Sequence, residues 1–179
     1  AFLVSNLLND YIKKTNIFYF HNKNNENLFK KYLEPKINKI PIKSDLKIIR
    51  KIRFLDNYSS TKLFQVTKNE TLLLNQISKN KLKKYLIKNL SKFDYFFVFD
   101  YGYNHIFNEL LPILKKNKKK LIVKSQSNSY NFGFNRADKY LNCEILGLDE
   151  PEFRLLLNDK KEIIKKLIFK NKKKFKNIG

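Results

Sequence analysis

The 179-residue sequence contains no methionine and no tryptophan, only four glycines, and a single cysteine, Cys143. One cysteine excludes an internal disulfide framework and any zinc site built from clustered cysteines. Neither G-x-x-x-x-G-K-[ST] nor G-x-G-x-x-G is present, which excludes a Walker-type phosphate loop and a dinucleotide fingerprint. No apolar run approaches the roughly 20 residues that cross a bilayer, and no signal peptide opens the chain. We therefore expect a cytoplasmic protein that does not enter a membrane.

The absence of an initial methionine leads us to expect that the chain is an internal fragment of a longer protein. Its composition is that of a folded protein, because 42% of the residues are hydrophobic and 15% are aromatic. Disordered chains lack this much apolar material. A chain of this length buries roughly 70% of its unfolded surface when it folds, so it is long enough for one domain, or one and a fraction, with room for a full hydrophobic core.

The net charge of +22 has two explanations. A basic chain binds nucleic acid by releasing counterions from the phosphates. However, only four of the 38 basic residues are arginine, and 23 residues are asparagine, as AT-rich codons would produce. A surface selected to bind nucleic acid uses more arginine, because its planar fork grips phosphates and base edges. We favour the compositional explanation, and a basic nucleic-acid-binding module stays the alternative.

Strand and helix patterns alternate along most of the chain, which favours an α/β fold with a largely parallel sheet. Two strand-like stretches, 46–55 and 61–66, are separated by a polar turn and predict a β-hairpin. We predict a basic, helical tail over 160–179, with the lysine-rich helical pattern over 160–176. The other predicted strands are 16–20, 94–100, 120–123 and 144–146, and the other predicted helices are 1–14, 28–33, 72–90, 106–114 and 149–157.

Polar segments follow three of the predicted strands, at 100–105, 124–131 and 149–152. Parallel α/β sheets bind ligands at the carboxyl ends of their strands. We therefore expect these three segments to share one edge of the sheet and to form the binding site.

Asp149 and Glu152 are three residues apart at a strand-to-helix junction, so both can face one direction on a first helical turn. Two such carboxylates could hold Mg²⁺ beside nucleotide phosphates. The alternative is an ordinary capping box, with Asp149 as the N-cap residue and Glu152 at the third helical position. Spacing alone favours the capping box.

Two further groups of polar residues are candidates for ligand contacts. The segment 125–131 offers amide and hydroxyl groups suited to a sugar or a nucleotide, and a plain polar loop is the alternative. Lys51 and Arg53 alternate on a strand and so share one face, as an anion contact requires, and a solvated sheet face is the alternative. Cys143 is expected to be a small buried hydrophobic residue.

Several segments taken in order resemble motifs of one enzyme family. The segments are Ala1-Phe-Leu-Val-Ser-Asn6-Leu-Leu, Lys51-Ile-Arg53-Phe-Leu with Lys62-Leu-Phe-Gln-Val, Phe99-Asp100-Tyr-Gly102, Asn128-Ser-Tyr-Asn131-Phe-Gly-Phe-Asn135 and Leu148-Asp149-Glu-Pro-Glu152-Phe. Together they resemble the PfkB (ribokinase-like) carbohydrate kinases, in the branch related to the heptose-phosphate kinase of surface-polysaccharide precursor synthesis. The resemblance implies a three-layer ribokinase-like sandwich with a mostly parallel central sheet, here incomplete, forming a single partial domain over 1–179.

The resemblance also implies the activity, which is ATP-dependent phosphorylation of a sugar or sugar phosphate, heptose-like, with ATP and Mg²⁺ as cofactors. Expected partners are that substrate, a fused nucleotidyltransferase domain and a second copy in a homodimer, with no membrane and no nucleic acid. The implied contacts to nucleotide or phosphate are Asp149, Glu152, Lys124 and Gln126, with Asp149 and Glu152 also supporting Mg²⁺. The implied contacts to substrate are Lys51, Arg53, Asp100, Asn128 and Asn131.

The chain departs from the family pattern at several positions. Asp149 stands where the family's N-x-x-E motif has Asn, Lys124 stands where relatives have Asp or Asn, and Tyr103 replaces a lysine. The family's G-x-G-D segment, which carries the catalytic base, is missing from this chain. We therefore expect the isolated chain to be catalytically inactive, and a non-catalytic kinase relative is a further alternative.

Overall fold

The computed structural model describes residues 2–22, 26–44, 49–68, 74–103, 106, 108–127 and 131–175. The chain divides into two compact units, Ala1–Leu82 and Lys83–Gly179. The extent of the domain, predicted as 1–179, stays a prediction. No helix in the described part of the chain is both long enough and apolar enough to cross a bilayer.

The first unit contains a parallel strand pair and a separate antiparallel hairpin. Strand β1 pairs with β2 in parallel, and β3 pairs with β4 in antiparallel register. The last helix of this unit continues past the boundary between the units. The elements are α1 (Phe2–Asn9), β1 (Asn16–His21), α2 (Glu26–Tyr32), β2 (Asn38–Lys43), β3 (Arg50–Leu55), β4 (Lys62–Lys68) and α3 (Gln76–Asn89).

An aromatic and aliphatic cluster forms the core of the first unit. Ile17, Leu33 and Ile37 are buried with Phe29, and the Phe29 ring stands edge-on to Phe2 with centroids 4.8 Å apart. Such edge-to-face pairs stabilise a core by about 1 kcal/mol beyond the area they bury. The helix α1 therefore begins with the side chain that anchors it.

Strand β2 is an element that the sequence pattern does not predict. Its sequence contains Pro41, which sheets tolerate only at edges, at strand starts or at bulges, and Ile42 is its one fully buried residue. With so little apolar alternation, only the pairing with β1 defines this strand.

The predicted hairpin is present, with β3 exposed throughout and β4 exposed except at the half-buried Gln65 and Thr67. Its turn is held by Asp56, whose carboxylate accepts backbone N–H groups from Tyr58 at 3.1 Å and Ser59 at 2.7 Å. These hydrogen bonds, from Ser59 first, lower the pKa of Asp56. Lys51 and Arg53 project from one face of β3, opposite Thr67 and Gln65 on β4.

The second unit is built on a three-stranded parallel sheet in the order β5-β6-β7. The predicted α/β class, with a parallel sheet and a small hairpin, is confirmed. The basic tail is helical from Ile164 and ends in a short 3₁₀ turn, Lys172–Lys174. The elements are β5 (Phe96–Asp100), α4 (Leu111–Lys116), β6 (Leu121–Ser125), β7 (Ile145–Gly147), α5 (Glu150–Leu157) and α6 (Ile164–Asn171).

Strand β6 runs through the core of the second unit. Leu121, Val123 and Ser125 are each no more than 2% exposed. Central parallel strands have both faces covered and therefore read as continuous apolar runs. Phe153 on α5 packs near Phe175 at the end of the tail, with ring centroids 5.7 Å apart. Because β6 is paired on both sides, with β5 and with β7, it places Lys124 and the residues after it at the edge of the sheet.

Candidate functional site

The carboxyl ends of β5, β6 and β7 meet at one edge of the sheet in the second unit. Asp100 at the end of β5 is in register with Ser125 at the end of β6, and Lys124 is in register with Gly147 of β7. Helix α5 begins shortly after β7, with Asp149 as its N-cap residue. The three polar segments expected at this edge therefore follow neighbouring parallel strands.

Glu152 is the centre of one polar cluster at this edge. Its side chain is 5% exposed and accepts the Lys124 ammonium at 2.7 Å on Oε2. The same oxygen accepts the Asp149 backbone N–H at 2.8 Å, and Oε1 accepts the Ser127 backbone N–H at 3.1 Å. The carboxylate is thus held by three N–H donors, while the Lys124 side chain stays 36% exposed.

Asp149 and Glu152 also form a capping box, the alternative favoured by their spacing. The Asp149 side chain accepts the Glu152 backbone N–H at 2.9 Å, and the Glu152 side chain accepts the Asp149 N–H in return. This reciprocal arrangement satisfies N–H groups that a helix start leaves unpaired. Glu152 therefore serves two purposes, since it caps α5 and holds the Lys124 ammonium.

Asp100 is the centre of a second polar cluster. Its carboxylate is 4% exposed and its Oδ2 accepts the Lys139 ammonium at 2.7 Å and the Tyr140 hydroxyl at 2.8 Å. Its Oδ1 accepts the Gly102 backbone N–H at 3.0 Å. Burial, together with the neighbouring Asp100 charge, raises the pKa of Tyr140 well above its usual range.

Two buried asparagines in the segment after β6 donate hydrogen bonds to backbone carbonyls at and just after the ends of β5 and β6. Asn135 donates from Nδ2 to the carbonyls of Asp100 at 3.3 Å and Gln126 at 3.2 Å. Asn131 donates from Nδ2 to the Tyr101 carbonyl at 2.9 Å. Its amide lies so close to Gly102 that a Cβ added there would stand 1.8 Å from the Asn131 nitrogen. A side chain at position 102 would therefore displace Asn131 and break its hydrogen bond to the Tyr101 carbonyl.

The two clusters are joined by hydrogen bonds. The Ser127 hydroxyl donates to the Asn135 carbonyl at 3.3 Å, and the Asn135 side-chain oxygen accepts the Lys139 ammonium at 2.7 Å. A continuous network thus runs from the Lys124–Glu152 pair to the Lys139–Asp100 pair.

A small cavity lies beside this network. The Ser125 hydroxyl is buried there and has no hydrogen-bond partner among the described residues. The cavity measures about 10 Å³ and is also lined by Ser127, Asn135 and Glu152. Its size suits about one water molecule, and the Ser125 hydroxyl offers that water a hydrogen-bond partner.

Sequence reasoning did not single out four residues of this network: Ser127, Asn135, Lys139 and Tyr140. Ser127 and Asn135 lie in polar stretches that were identified only as segments. Lys139 and Tyr140 lie in a 3₁₀ turn, Ala137–Tyr140, far from Asp100 in sequence. Nothing in the local sequence indicates that this turn folds back onto β5.

The other predicted site residues are distributed as follows. Gln126 is half-buried, and its backbone N–H donates to the Asp100 carbonyl at 2.8 Å. Lys51 and Arg53 belong to the first unit and are exposed. Asn128 lies outside the described residues. The single cysteine, Cys143, is buried, and burial raises the pKa of its thiol to about 11.

The donor set around Glu152 does not fit a divalent cation bound directly between Asp149 and Glu152. Both Glu152 oxygens accept N–H groups, and one of the donors is a positively charged ammonium at 2.7 Å. A metal ion on the same carboxylate would lie against that charge. Among the described residues there is no group of three or more His, Cys, Asp or Glu side chains placed to hold a metal. Magnesium at Asp149 and Glu152 stays a prediction that this geometry does not favour.

No protein-family model and no curated protein sequence matches the chain. Among solved structures, the chain resembles that of a possible 1-phosphofructokinase from Thermotoga maritima, with a TM-score of 0.70 and 14% sequence identity. The similarity covers 99% of this chain and 58% of that chain. The two proteins therefore share a fold. The chain spans somewhat more than half the length of that structure.

Proposed function

We propose that this chain is part of a kinase that transfers a phosphoryl group from ATP to a sugar or sugar phosphate. The observation that carries the proposal is the similarity of fold, over 99% of the chain, to a possible 1-phosphofructokinase. The motifs in the sequence point to the same class of reaction independently of that comparison. The finer assignments, a three-layer sandwich and a heptose-like precursor of surface polysaccharide phosphorylated in the cytoplasm, belong to this proposal.

The site geometry supports a binding role for the edge of the second unit. In open α/β sheets, ligands bind outside the carboxyl ends of the strands, where the Lys124 side chain is partly exposed. We assign the nucleotide phosphates to Lys124 and Gln126. Asp100 acts on the site by holding Lys139, since its own oxygens accept internal donors.

The remaining contacts of the proposal concern the sugar. Lys51 and Arg53 in the first unit are proposed to contact an anionic group. In the second unit, Asn128 is proposed to contact a sugar hydroxyl group, and Asn131, which is buried and donates to the Tyr101 carbonyl, is proposed to act by holding the segment after β6 in place. A homodimer and a fused nucleotidyltransferase domain stay proposed partners. Phosphoryl transfer needs mainly positioning and charge stabilisation from the protein. These contacts would therefore position the sugar and determine which sugar is accepted.

The test is an activity assay on the protein expressed from the complete coding region. ADP release from ATP is measured with a panel of hexoses, heptoses and their phosphates, beside the 179-residue chain alone. The proposal expects turnover by the complete protein with at least one sugar and none by the isolated chain. Absence of turnover with every sugar, in a folded protein that binds ATP, would favour a non-catalytic relative.

A second candidate function, nucleic-acid binding, is favoured by one observation, the net charge of +22. Binding to DNA of mixed sequence is measured at several salt concentrations. A nucleic-acid module gives a steep loss of affinity with salt, because each phosphate contact releases counterions. The kinase proposal expects weak binding that disappears near physiological ionic strength.

A further inference from the structure

We propose that the strand-end site of the second unit binds phosphate through the fixed ammonium group of Lys124, without a divalent cation between protein and phosphate. The inference rests on the proposed function only for the identity of the ligand that carries the phosphate.

Lys124 is held in place and is still accessible. Its ammonium lies 2.7 Å from Glu152 Oε2, and its side chain is 36% exposed while that of Glu152 is 5% exposed. A lysine on a free surface loses side-chain entropy when it binds an anion. Here the buried carboxylate has already fixed the lysine, and three ammonium donors leave capacity for a second acceptor.

The position that a cation would take beside Glu152 is filled by this ammonium. Glu152 Oε2 accepts Lys124 and the Asp149 N–H, and Oε1 accepts the Ser127 N–H. Three donors thus occupy this carboxylate, and the charged donor already neutralises its negative charge. The positive charge that a phosphate needs is therefore supplied by the protein itself.

A second lysine–carboxylate pair lies at the end of the neighbouring strand. At the end of β5, Lys139 lies 2.7 Å from Asp100, with its side chain 26% exposed and that of Asp100 4% exposed. A buried carboxylate thus pairs with a partly exposed lysine near the ends of two adjacent parallel strands. On β6 the strand supplies the lysine and α5 supplies Glu152, whereas on β5 the strand supplies Asp100 and the turn Ala137–Tyr140 supplies the lysine. Both pairs belong to one hydrogen-bonded network, and two ammonium groups at one sheet edge suit an anion.

The ligand class that this arrangement fits is a phosphate or diphosphate group. Ammonium groups bind phosphate oxygens by charge-assisted hydrogen bonds. The phosphate could belong to a nucleotide or to a sugar phosphate, and one probe of each kind separates the two sources.

The experiment is titration calorimetry on the 179-residue chain with ADP and with glucose 6-phosphate, each in excess Mg²⁺ and in EDTA. We expect binding of at least one probe whose affinity in EDTA is within about twofold of that in Mg²⁺. The ADP arm tests the nucleotide source, and the glucose 6-phosphate arm tests the sugar-phosphate source. A wild-type chain that binds neither probe, or binds only with Mg²⁺, overturns the inference.

A paired variant tests whether Lys124 is the cation. Lys124→Gln combined with Glu152→Gln removes both charges and so leaves no buried carboxylate unpaired. We expect a loss of at least about tenfold in affinity, the size of one charge-assisted hydrogen bond. Lys165→Gln, an exposed lysine on α6, is the matched control and keeps wild-type affinity. Equal affinity for the double variant and wild type contradicts the inference.

Circular dichroism confirms that the double variant is folded, and Lys124→Arg, which keeps the charge, provides a second variant if it is not. Retained affinity in Lys124→Arg, with loss in Lys124→Met, supports the same conclusion. The outcomes separate this inference from the proposed function. Phosphate binding in EDTA without sugar kinase activity in the complete protein leaves the inference standing, whereas kinase activity with strictly Mg²⁺-dependent binding removes only the inference.

Discussion

Gly102 lies where β5 turns into the candidate site, with a φ of +70°. A Cβ at this position would stand 1.8 Å from Asn131 Nδ2 and 2.8 Å from Asn135 Cβ. The glycine therefore meets two requirements at once: a left-handed backbone conformation, and space for the close approach of Asn131 and Asn135.

Gly133 offers a matched comparison for a prediction, because its φ is +84° but a Cβ added there would meet no atom of the described residues within 4 Å. Gly133→Ala should cost only the left-handed strain, about 1–2 kcal/mol. Gly102→Ala should cost about 2 kcal/mol more, because the overpacking cost is added. Urea unfolding of both variants measures the difference. Equal losses would contradict the contact with Asn131 and Asn135.

Tyr140 gives a prediction for the dependence of stability on pH. Its folded pKa is raised, first by burial and then by Asp100, so the folded state favours the neutral hydroxyl. The stability that this provides is fully present below the unfolded pKa of about 10 and is lost as pH rises above it. Tyr140→Phe should cost about 1.5–3 kcal/mol at pH 7, the value of a hydrogen bond to a charged group.

The measurement is urea unfolding of wild type and Tyr140→Phe between pH 7 and 11. The difference between them should shrink above pH 10, because only the wild type loses this contribution there. Tyr95→Phe, at a tyrosine that is 57% exposed, controls for general alkaline effects. A difference that stays constant with pH would contradict the buried hydrogen bond to Asp100.

Among the helices and strands, the start of α5 yields a prediction that separates capping from ligand binding. Asp149→Ala removes the acceptor for the Glu152 N–H and should cost about 1 kcal/mol, whereas Asp149→Asn should cost only a few tenths. Thermal unfolding measures both. An alanine variant as stable as wild type would show that the capping box does not hold the helix. If the affinity for phosphate is unchanged in both variants, Asp149 only caps the helix and does not contact the ligand.

The strands also show how far sequence reasoning reaches. Both β5 and β6 begin with a continuous apolar run, over 96–99 and 121–123, so their position and the polar edge that follows them could be predicted from local pattern. Strand β2 could not, because Pro41 and its sparse apolar residues give no periodic signal and its pairing with β1 is decided by tertiary contact.

The candidate site was predictable to the same extent. Asp149 and Glu152 were identified from spacing, which also indicated the capping box that the structure contains. The partner of Glu152 was not identified, since Lys124 lies 28 residues away. Lys139 and Tyr140 reach Asp100 over even larger separations. Local sequence carries no information on such pairings, so the network became visible only in three dimensions.

For the chain as a whole, the net charge of +22 bears on every binding experiment. It attracts anions over a range set by the Debye length, about 8 Å at physiological ionic strength. Raising salt from 50 to 500 mM should therefore weaken non-specific anion binding strongly, while binding at the partly buried Lys124 pair weakens less. Calorimetry with ADP at both salt concentrations checks this. An identical salt dependence for wild type and the Lys124→Gln/Glu152→Gln variant would show that no specific site contributes.

Lysine footprinting of the complete protein asks directly whether the strand-end edge of the second unit binds the phosphates. Acetylation rates of individual lysines are compared with and without ADP by mass spectrometry. We predict that ADP slows acetylation of Lys124 and leaves exposed Lys165 unchanged. Acetylation of Lys124 at the same rate with saturating ADP, with protection elsewhere in the chain, would contradict phosphate binding at this edge.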